Sequence, residues 1–494
     1  MTRMELTMKA LRMWIHRSRL AAALGLGLVL AACATAPAPP AQTSAEIPQA
    51  LEATGEGSRF GVMAATLGGK VVRASRADER FIPASNTKLF TAAAAFRLLP
   101  DLRKSQPELG TTLHLVPEPD GKPPSLRLAG AGDPTVRDGA DCVSNCLHEL
   151  ADAIVRRGIT RVTDVYGDET LFPHEPFGLG WSWNNLPFYF GAPVSALTVN
   201  GNAAELRVSP GAAEGAPVSA VWAPGDDVLR LNIEAITSAT GSENLLSVLR
   251  WPGSDEVQIT GSLPAGTPPR SYFLSVPDPA KTATERLVRL LRARGVTVEG
   301  GAKVRLRNDL MVDAELARLT PPPLLETVIN TAKDSDNLSA EVLLRHMARA
   351  VGGESADDGL DAVHAMLDEA GIDRNGIELF DGSGLSPYNR VTPEATVQFL
   401  TWTTTQNWGE AFRATLPVGG KAGSLSRRFR GTPLEGRIFA KTGTVQGVNA
   451  LSGFLTAASG QTLVFSVISN DRAADAAPAT PAMDAMLLAL AAQN

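Results

Sequence analysis

The chain has 494 residues, of which 44% are hydrophobic, so it can bury a large core and form more than one domain. Its formal net charge of −6 argues against the basic surface that nucleic-acid binding requires. Aromatic residues make up only 5% of the chain, which also disfavours a platform on which bases stack.

The N-terminus has the pattern of a secretory signal. Basic residues within positions 12–19 precede an apolar run at 20–30, which is short for a transmembrane helix. The run ends in Leu-Ala-Ala-Cys33, which resembles a bacterial lipobox, whose cysteine is lipidated and becomes the mature N-terminus. An ordinary cleaved signal with an unrelated cysteine is the alternative.

These features predict a lipoprotein signal peptide over 1–32 and a Pro/Ala-rich tether over 33–45. We therefore expect a protein of the periplasm or cell envelope. It would be held at a membrane, with the outer membrane as one candidate, through a lipid anchor only.

The mature chain is predicted to begin with a short helix over 44–56 and a β-hairpin over 59–73 around a Gly-Gly turn. Pro83 and the small polar residues after it then predict a helix start. The alanine-rich residues at 91–96 continue that helix.

Ser85 and Lys88 are three residues apart, so on a helix they share one face and the amine can reach the hydroxyl. A serine becomes a good nucleophile only when a base takes its proton, and no histidine is near in sequence. Lys88 can act as that base only as a neutral amine, which requires its pKa to fall from about 10.4. Burial or a second cation would lower it. An exposed Ser and Lys in the first turn of a helix is the alternative.

Residues 101–276 are rich in Gly, Pro and short strand-like runs, with one helix predicted at 146–157. This texture predicts one or two β-rich subdomains inserted into a discontinuous domain formed by 46–100 and 277–494.

The insertion contains Cys142 and Cys146, and an exported protein can form a disulfide there. Cysteines four apart in a regular helix point away from each other, so a disulfide requires Cys142 to precede the helix. A metal site that includes His148 is the alternative.

The C-terminal part is predicted to be helical and to end in an antiparallel sheet and a last helix, which together give an α+β fold with a helical subdomain. The helices are predicted over 282–292, 323–333, 338–350, 359–370, 393–404 and 481–492, and the strands over 437–441, 449–455 and 462–468.

Ser-x-Asn occurs three times, at Ser182, Ser242 and Ser335. The first two fall in the insertion, where Asn is usually a turn residue. Ser335 and Asn337 lie between two predicted helices, with Asn337 placed to cap the second, and they are therefore the preferred partners of the Ser85 helix.

Lys441-Thr442-Gly443-Thr444 follows directly from a predicted strand. A lysine with neighbouring hydroxyls and a glycine that admits other backbone suits the binding of a carboxylate and of a peptide along a strand edge. Lys441 is the candidate for the second cation, and Thr442 and Thr444 are candidates for holding the carboxylate. A hairpin turn at a strand end is the alternative.

The order Ser-x-x-Lys, Ser-Asp-Asn and Lys-Thr-Gly is a signature of penicillin-binding proteins and class A β-lactamases. The long interval from Lys88 to Ser335 accommodates an insertion. Over roughly 46–494 the chain resembles the type-4 (class C, low-molecular-mass) penicillin-binding proteins, the D-alanyl-D-alanine carboxypeptidase/endopeptidase family. Further stretches that resemble the family lie at 130–136, 180–183, 191–197, 381–386 and 443–447.

The resemblance implies a penicillin-binding transpeptidase-like or β-lactamase-like fold and a serine peptidase that cleaves peptidoglycan stem peptides and cross-links. It implies inhibition by β-lactams and no metal or organic cofactor. In this family pattern Ser85 is acylated, Lys88 takes its proton and Ser335 relays that proton to the leaving amine. Asn337 orients the substrate and Lys88.

By the same resemblance, Lys441, Thr442 and Thr444 receive the terminal carboxylate, with Gly443 in the same strand. The backbone N–H groups of Ser85 and Thr444 would hold the oxyanion.

Asp168, Phe172 and Gln446 are the family-based candidates for binding the stem-peptide side chain, against the alternative of ordinary strand-end and turn residues. The aromatic residue that the family often has near 448–449 is absent. Asp133 and Asp381 are predicted to organise turns.

Three rival functions remain open at this point. A β-lactamase would need a positioned base for rapid deacylation, and no glutamate at comparable spacing is evident. A catalytically silent envelope-binding lipoprotein would not need all the reactive positions to be filled. A general esterase could share the Ser-x-x-Lys pair, although the Lys-Thr-Gly strand favours a substrate that ends in a carboxylate.

Overall fold

The computed structural model describes residues 57–305, 313–474 and 476–494. The predicted signal peptide, the tether, Cys33 and the helix predicted over 44–56 lie outside these residues. None of the described helices is long and apolar enough to cross a membrane.

Most of the helices lie in the second half of the described chain. They are α1 (Lys88–Leu98), α2 (Leu147–Arg156), α3 (Pro279–Ala293), α4 (Leu324–Lys333), α5 (Asn337–Ala350), α6 (Ala356–Glu369), α7 (Pro393–Thr403), α8 (Gly409–Thr415) and α9 (Thr480–Gln493).

Short strands dominate the part between α1 and α3. In chain order the strands are β1 (Arg59–Thr66), β2 (Val71–Ser75), β3 (Thr112–Val116), β4 (Ser125–Ala129), β5 (Arg161–Asp168), β6 (Ala203–Ser209), β7 (Ser219–Trp222), β8 (Arg230–Ile233), β9 (Ile236–Ser238), β10 (Ser247–Arg250), β11 (Glu256–Thr260), β12 (Ser262–Pro264), β13 (Arg270–Ser275), β14 (Thr297–Arg305), β15 (Ala314–Arg318), β16 (Ile377–Glu378), β17 (Arg390–Val391), β18 (Ile438–Val445), β19 (Val448–Thr456) and β20 (Thr462–Asn470).

The central sheet is antiparallel and has the order β18-β19-β20-β1-β2. The predicted N-terminal hairpin and C-terminal meander are therefore confirmed, and they join in one sheet. Two of its three inner strands, β19 and β20, are buried along almost their whole length. Strands that are covered on both faces read as continuous apolar runs, which is how both appear in the sequence.

Helices cover both faces of the central sheet. Helix α9 packs on one face through Met483, Leu487 and its neighbours. On the other face lies α1, whose residues from Lys88 to Ala95 are all buried. A helix without a solvent face must be enclosed, and α4, α5, α6 and α7 complete the enclosure of α1.

A second five-stranded sheet, with the order β14-β5-β4-β3-β15, forms part of the β-rich region. Its strands β14, β5 and β4 are parallel, and the remaining pairs are antiparallel. Strands from both sides of residue 276, where the insertion is predicted to end, pair in this sheet, because β14 and β15 follow that position. Smaller sheets, including β13-β6-β7 and β10-β11-β8, complete the region.

Cys142 and Cys146 form a disulfide. Cys146 is the residue before α2, and its backbone N–H donates to Glu149 at 2.8 Å, so Cys142 lies outside the helix as the disulfide requires. The Cα atoms of the two cysteines are 5.9 Å apart, within the range that a disulfide spans.

Candidate active site

Ser85 lies in a 3₁₀ turn, Ala84–Thr87, that leads into α1. Two glycines allow other segments to approach this turn closely. A Cβ at Gly443 would lie 2.6 Å from the carbonyl oxygen of Pro83, and one at Gly384 would lie 2.0 Å from that of Ala84. The turn is therefore held between strand β18 and the loop at 381–386, and Ser85 remains half-buried at its surface.

Lys88 is fully buried, and its Nζ donates to three oxygens. These are Ser85 Oγ at 3.0 Å, Asn337 Oδ1 at 2.5 Å and the carbonyl oxygen of Ser383 at 2.5 Å. Helix α1 thus brings the amine to the hydroxyl, while α5 and the 381–386 loop hold it there. This contact confirms the predicted proximity of the two side chains and excludes an exposed surface pair.

Burial lowers the pKa of Lys88 to about 8, although the carboxylates of Asp381, Asp336 and Glu341 oppose the shift. Desolvation disfavours the charged amine, as a fully enclosed lysine requires. The sequence offered burial and a second cation, with Lys441 as its candidate, as the two ways to lower this pKa. Burial is the dominant cause, because the surrounding helices enclose the first eight residues of α1.

Lys441 is also fully buried, and it contacts the loop that contains Ser335. Its Nζ donates to Ser335 Oγ and to the carbonyl oxygen of Thr442, each at 2.9 Å. Burial, followed by the positive charge of Lys88, lowers the pKa of Lys441 well below its usual value. The two amines therefore repel each other when both are charged, and this repulsion lowers the pKa of Lys441.

The segment that joins α4 to the start of α5 brings Ser335 to Lys441 and Asn337 to Lys88. Ser335 adopts a positive φ of 64°, which turns the loop sharply before α5. Asp336, rather than the expected Asn337, caps α5 by accepting from the N–H of Ser339 at 2.6 Å. The Asn337 side chain is consequently available to contact Lys88 and the carbonyl oxygen of Phe190, at 2.6 Å from the latter.

Strand β18 is at the edge of the central sheet, and in the described part of the chain the backbone–backbone hydrogen bonds on its outer side are confined to its first half. Ala440 N–H donates to the carbonyl oxygen of Pro417, and Ile438 accepts from Gly419. Backbone groups of alternate residues in a strand point to the same side, so those of Thr442 and Thr444 also face outward, beside the Ser85 turn. This part of the edge can pair with an extended peptide.

The uncovered edge borders a cleft of about 950 Å³. The cleft brings together several predicted residues from distant parts of the chain. These are Ser85, Ser335, Asn337, Thr444 and Gln446. Thr442 lies beside it and contacts Ser424, with 2.6 Å between their hydroxyl oxygens.

The cleft also contains residues that the motifs did not identify. Arg472, just beyond β20, supplies a cation near Thr444, and Tyr189 supplies an aromatic wall. Ser182 and Asn184, from a rejected Ser-x-Asn instance, line the same cleft, although they contact neither buried lysine. Arg472 could have been suggested by its position in the sequence. It follows a predicted strand of the same sheet that contains the Lys-Thr-Gly motif.

Asp168 and Phe172 do not line this cleft, and we correct their assignment. Asp168 accepts from Arg127 at 2.9 Å and from Thr170, whereas Phe172 is buried against His346, with ring centroids 5.6 Å apart. The family resemblance suggested these two residues, whereas Asp168 is the last residue of β5 in the mixed sheet, which agrees with the alternative of a strand-end residue.

Asp133 and Asp381 organise turns, as predicted. Asp133 accepts from the backbone and the hydroxyl of Thr135. Asp381 accepts from the N–H groups of Gly384 and Ser386 at 2.8 and 2.7 Å, and from the Trp181 indole at 2.9 Å. Through this loop Asp381 sets the position of the Ser383 carbonyl that accepts from Lys88.

Glu341 is a buried carboxyl group that the sequence did not identify. Its Oε1 accepts from the N–H groups of Gly382 and Ser383 at 3.0 and 2.9 Å, and Arg345 lies 3.4 Å from Oε2. Burial and the charge of Asp381 raise the pKa of Glu341 to about 7. Glu341 therefore helps to hold the 381–386 loop, whose Ser383 carbonyl oxygen accepts from Lys88.

We expect the stability of the protein relative to a Glu341→Gln variant to fall as the pH rises from about 4.5 to about 7. In this window the unfolded chain loses the proton that the folded protein keeps, so stability present at low pH is lost. Integrated over the window, the difference amounts to about 3 kcal/mol. Glutamine keeps an oxygen that can accept from both N–H groups but does not titrate. Urea unfolding of both proteins at pH 5 and pH 8 measures the difference.

Glu369→Gln is the matched control for Glu341→Gln, because Glu369 is an exposed partner of Arg97. Its stability should change with pH in parallel with that of the parent. Parallel curves for Glu341→Gln as well would show that this carboxyl group does not titrate with a raised pKa.

A sequence profile described as the D-Ala-D-Ala carboxypeptidase 3 (S13) family matches residues 43–493. The chain is similar to the D-alanyl-D-alanine carboxypeptidase of Actinomadura sp. (strain R39), with 34% identity over 432 residues, 84% of this chain and 78% of that protein. It is also similar to the D-alanyl-D-alanine carboxypeptidase DacB of Haemophilus influenzae, with 28% identity over 435 residues, 83% of this chain and 85% of that protein.

Among solved structures, the crystal structure of penicillin binding protein 4 (dacB) from Haemophilus influenzae matches with a TM-score of 0.78 and 24% identity. The match covers 90% of this chain and 98% of that chain. At this identity it establishes a shared fold, and that fold agrees with the penicillin-binding architecture that the motifs imply.

Proposed function

This chain belongs to the D-Ala-D-Ala carboxypeptidase 3 (S13) family, and we propose that it removes the terminal D-alanine of peptidoglycan stem peptides through an acyl-enzyme at Ser85. The observation that carries this proposal is the 3.0 Å contact between Lys88 Nζ and Ser85 Oγ, beside an uncovered strand edge. Because burial brings the pKa of Lys88 to about 8, a useful fraction of the amine is neutral near neutral pH.

In the first step, the neutral Lys88 amine takes the proton of Ser85 as Oγ attacks the carbonyl carbon between the two D-alanines. The negative charge that develops on the carbonyl oxygen is held by the backbone N–H groups of Ser85 and Thr444. The outward orientation of the Thr444 backbone on β18 supports this assignment.

The leaving D-alanine amine must receive a proton as the C–N bond breaks. The proton that Lys88 took from Ser85 reaches this amine through Ser335, whose Oγ accepts from Lys441 Nζ at 2.9 Å, and Lys88 is neutral again. The neutral Lys88 amine then takes a proton from the water that attacks the acyl-enzyme and returns it to Ser85 Oγ as the bond to the serine breaks and the carboxylate product leaves.

The substrate is held by its backbone and its terminal carboxylate. An extended peptide pairs with the outer edge of β18 at Thr442 and Thr444, while Asn337 donates to the peptide amide. The hydroxyls of Thr442 and Thr444, with the amine of Lys441, receive the carboxylate. Arg472 adds a further positive charge in the cleft.

A β-lactam imitates the acyl-D-Ala-D-Ala end and acylates Ser85. In a cross-link the same D-alanine carbonyl is joined to an amine of a neighbouring stem peptide, so cross-link cleavage belongs to the same proposal.

The test is to incubate the protein lacking residues 1–43 with a synthetic stem peptide ending in D-Ala-D-Ala and, separately, with benzylpenicillin. We expect release of D-alanine from the peptide and slow turnover of the penicillin. Rapid penicillin hydrolysis without peptide cleavage would instead indicate a β-lactamase. Failure of both reactions would favour a catalytically silent envelope protein.

We also propose that the protein is held in the cell envelope by lipid on Cys33. The lipobox-like sequence and the Pro/Ala-rich tether after it support this localisation. Incorporation of labelled palmitate into the full chain, and its absence in Cys33→Ala, would test the anchor. Labelling that persists in the variant would refute it.

A further inference from the structure

Exposed aromatic side chains are concentrated beside the cleft. Six aromatic residues in the described part of the chain are at least 40% exposed, and each belongs to or contacts the segment 177–190. Four of them form two contacting pairs, Trp183 with Trp251 and Tyr189 with Phe273. In a chain with so few aromatic residues, such a concentration on the surface indicates a binding surface.

The two tryptophans form a rigid stack. Their ring centroids are 5.1 Å apart and their planes differ by 9°. Each indole keeps one face that the other does not cover, and the residues are 48% and 50% exposed. A rigid, exposed ring loses little conformational entropy when a flat apolar surface packs against it.

Hydrogen bonds of neighbouring residues fix the backbone positions of both tryptophans. Trp183 lies in the turn in which Asn185 N–H donates to Ser182 at 2.9 Å. Trp251 follows Arg250, whose buried guanidinium donates to Ser275 Oγ at 2.8 Å. Ser275 in turn bonds to the backbone at Pro187, in the segment that contains Tyr189. These contacts link the two aromatic pairs.

We propose that this aromatic platform, defined as Trp183, Trp251, Tyr189 and Phe273, binds the amino-sugar strand of peptidoglycan while the attached stem peptide occupies the cleft. The proposal rests on the proposed function, because it assumes that the peptide enters at Ser85. Tyr189 lines the cleft itself, and Ser182 and Asn184, the sequence neighbours of Trp183, line it too, so each aromatic pair adjoins the cleft through one of its segments.

The chemistry of the surface favours a sugar over other occupants. The C–H face of a pyranose ring packs well against an aromatic face, and the neutral side chains of Ser182, Asn184 and Asn185 suit its hydroxyl and acetamido groups. Residues 181–185 carry no charge, so the segment lacks the cations that attract an anionic membrane.

The length of the substrate also fits this arrangement. In a stem peptide the sugar is attached at the end opposite to D-Ala-D-Ala, and an extended stretch of four residues spans about 14 Å. When the scissile bond lies at Ser85, the proposal therefore places the sugar about 14 Å from the nucleophile.

The test uses the double variant Trp183→Ala/Trp251→Ala, because neither ring lines the cleft. Two substrates are compared, a stem peptide ending in D-Ala-D-Ala and the same peptide attached to its disaccharide. We expect the parent to favour the disaccharide form in kcat/KM by about tenfold and the variant to treat both substrates alike. Val155→Ala, an exposed apolar position on α2, is the control and should behave as the parent.

The free peptide separates this proposal from the proposed function. If the parent cleaves neither substrate, the proposed function fails, and binding of the protein to insoluble peptidoglycan in a pelleting assay still tests the platform. We expect the parent to pellet and the double variant to stay in solution. Equal pelleting, or an unchanged preference for the disaccharide in the variant, would overturn the proposal. So would a parental dimer in light scattering that the double variant loses, because the platform would then be an interface between two copies.

Discussion

Replacing Ser85 with alanine is expected to abolish acylation by benzylpenicillin and to lower kcat/KM for the stem peptide by at least about 10⁴-fold. The substitution removes the only atom that forms the acyl bond in the proposed reaction. It leaves Lys88 with two acceptors, Asn337 Oδ1 and the Ser383 carbonyl, so the enclosure of α1 should be retained. Intact mass after incubation with benzylpenicillin should show one adduct on the parent and none on the variant.

Ser242→Ala is a matched control for this experiment. Ser242 belongs to another Ser-x-Asn instance, and its hydroxyl contacts Ser238 at an exposed turn of the inserted region. The control should acylate as the parent does. An adduct that persists in Ser85→Ala would move the nucleophile elsewhere, with Ser335 as the first residue to examine.

The reactive side chains could be predicted because their chemistry requires particular partners. Lys88 is the only base near Ser85 in the sequence, and it can act only if burial or a second cation lowers its pKa. A further element must therefore face the amine, and the order of the motifs indicated Ser335, Asn337 and Lys441. The structure brings these three residues together with Ser85 and Lys88 at the N-terminus of α1.

The surroundings of the site were less predictable, because they depend on contacts between residues far apart in sequence. Glu341 and Arg345 have the spacing of an exposed helical ion pair, yet both are buried, since α5 packs against α1. In the same way, nothing local in the sequence shows that β5 pairs in parallel with β14, more than a hundred residues later. That pairing places Asp168 away from the cleft.

The aromatic platform shows the same limitation. Trp183, Trp251 and Phe273 come from separate turns and strands, and each alone resembles an ordinary exposed residue. Their proximity depends on the contact of the segment at 186–190 with β13 and on the bond from Arg250 to Ser275. A pattern along the chain therefore cannot reveal such a surface, whereas the packing of the inserted sheets does.

Replacing Lys88 with methionine is expected to lower kcat/KM by about 10³-fold, because the proposed base is lost. In the parent, log kcat/KM should rise with pH up to about 8 and then level off, since only the neutral amine accepts the proton and burial sets its pKa there. Methionine has a similar length and suits a buried position, but it does not titrate. The variant should therefore lose the rise that ends near pH 8, as measured by D-alanine release between pH 5 and pH 10.

Two further variants decide whether Lys88, and not Lys441, is responsible for this pH dependence. The pKa of Lys441 is also lowered, so it is the alternative base. If Lys88 is the base, Lys441→Met should retain the rise up to pH 8 while KM increases, because Lys441 contacts Ser335 and the carboxylate position. Lys104→Met, at an exposed side chain, should match the parent at every pH. A rise that persists in Lys88→Met and disappears in Lys441→Met would assign the base to Lys441 and would make Lys88 a positioning residue.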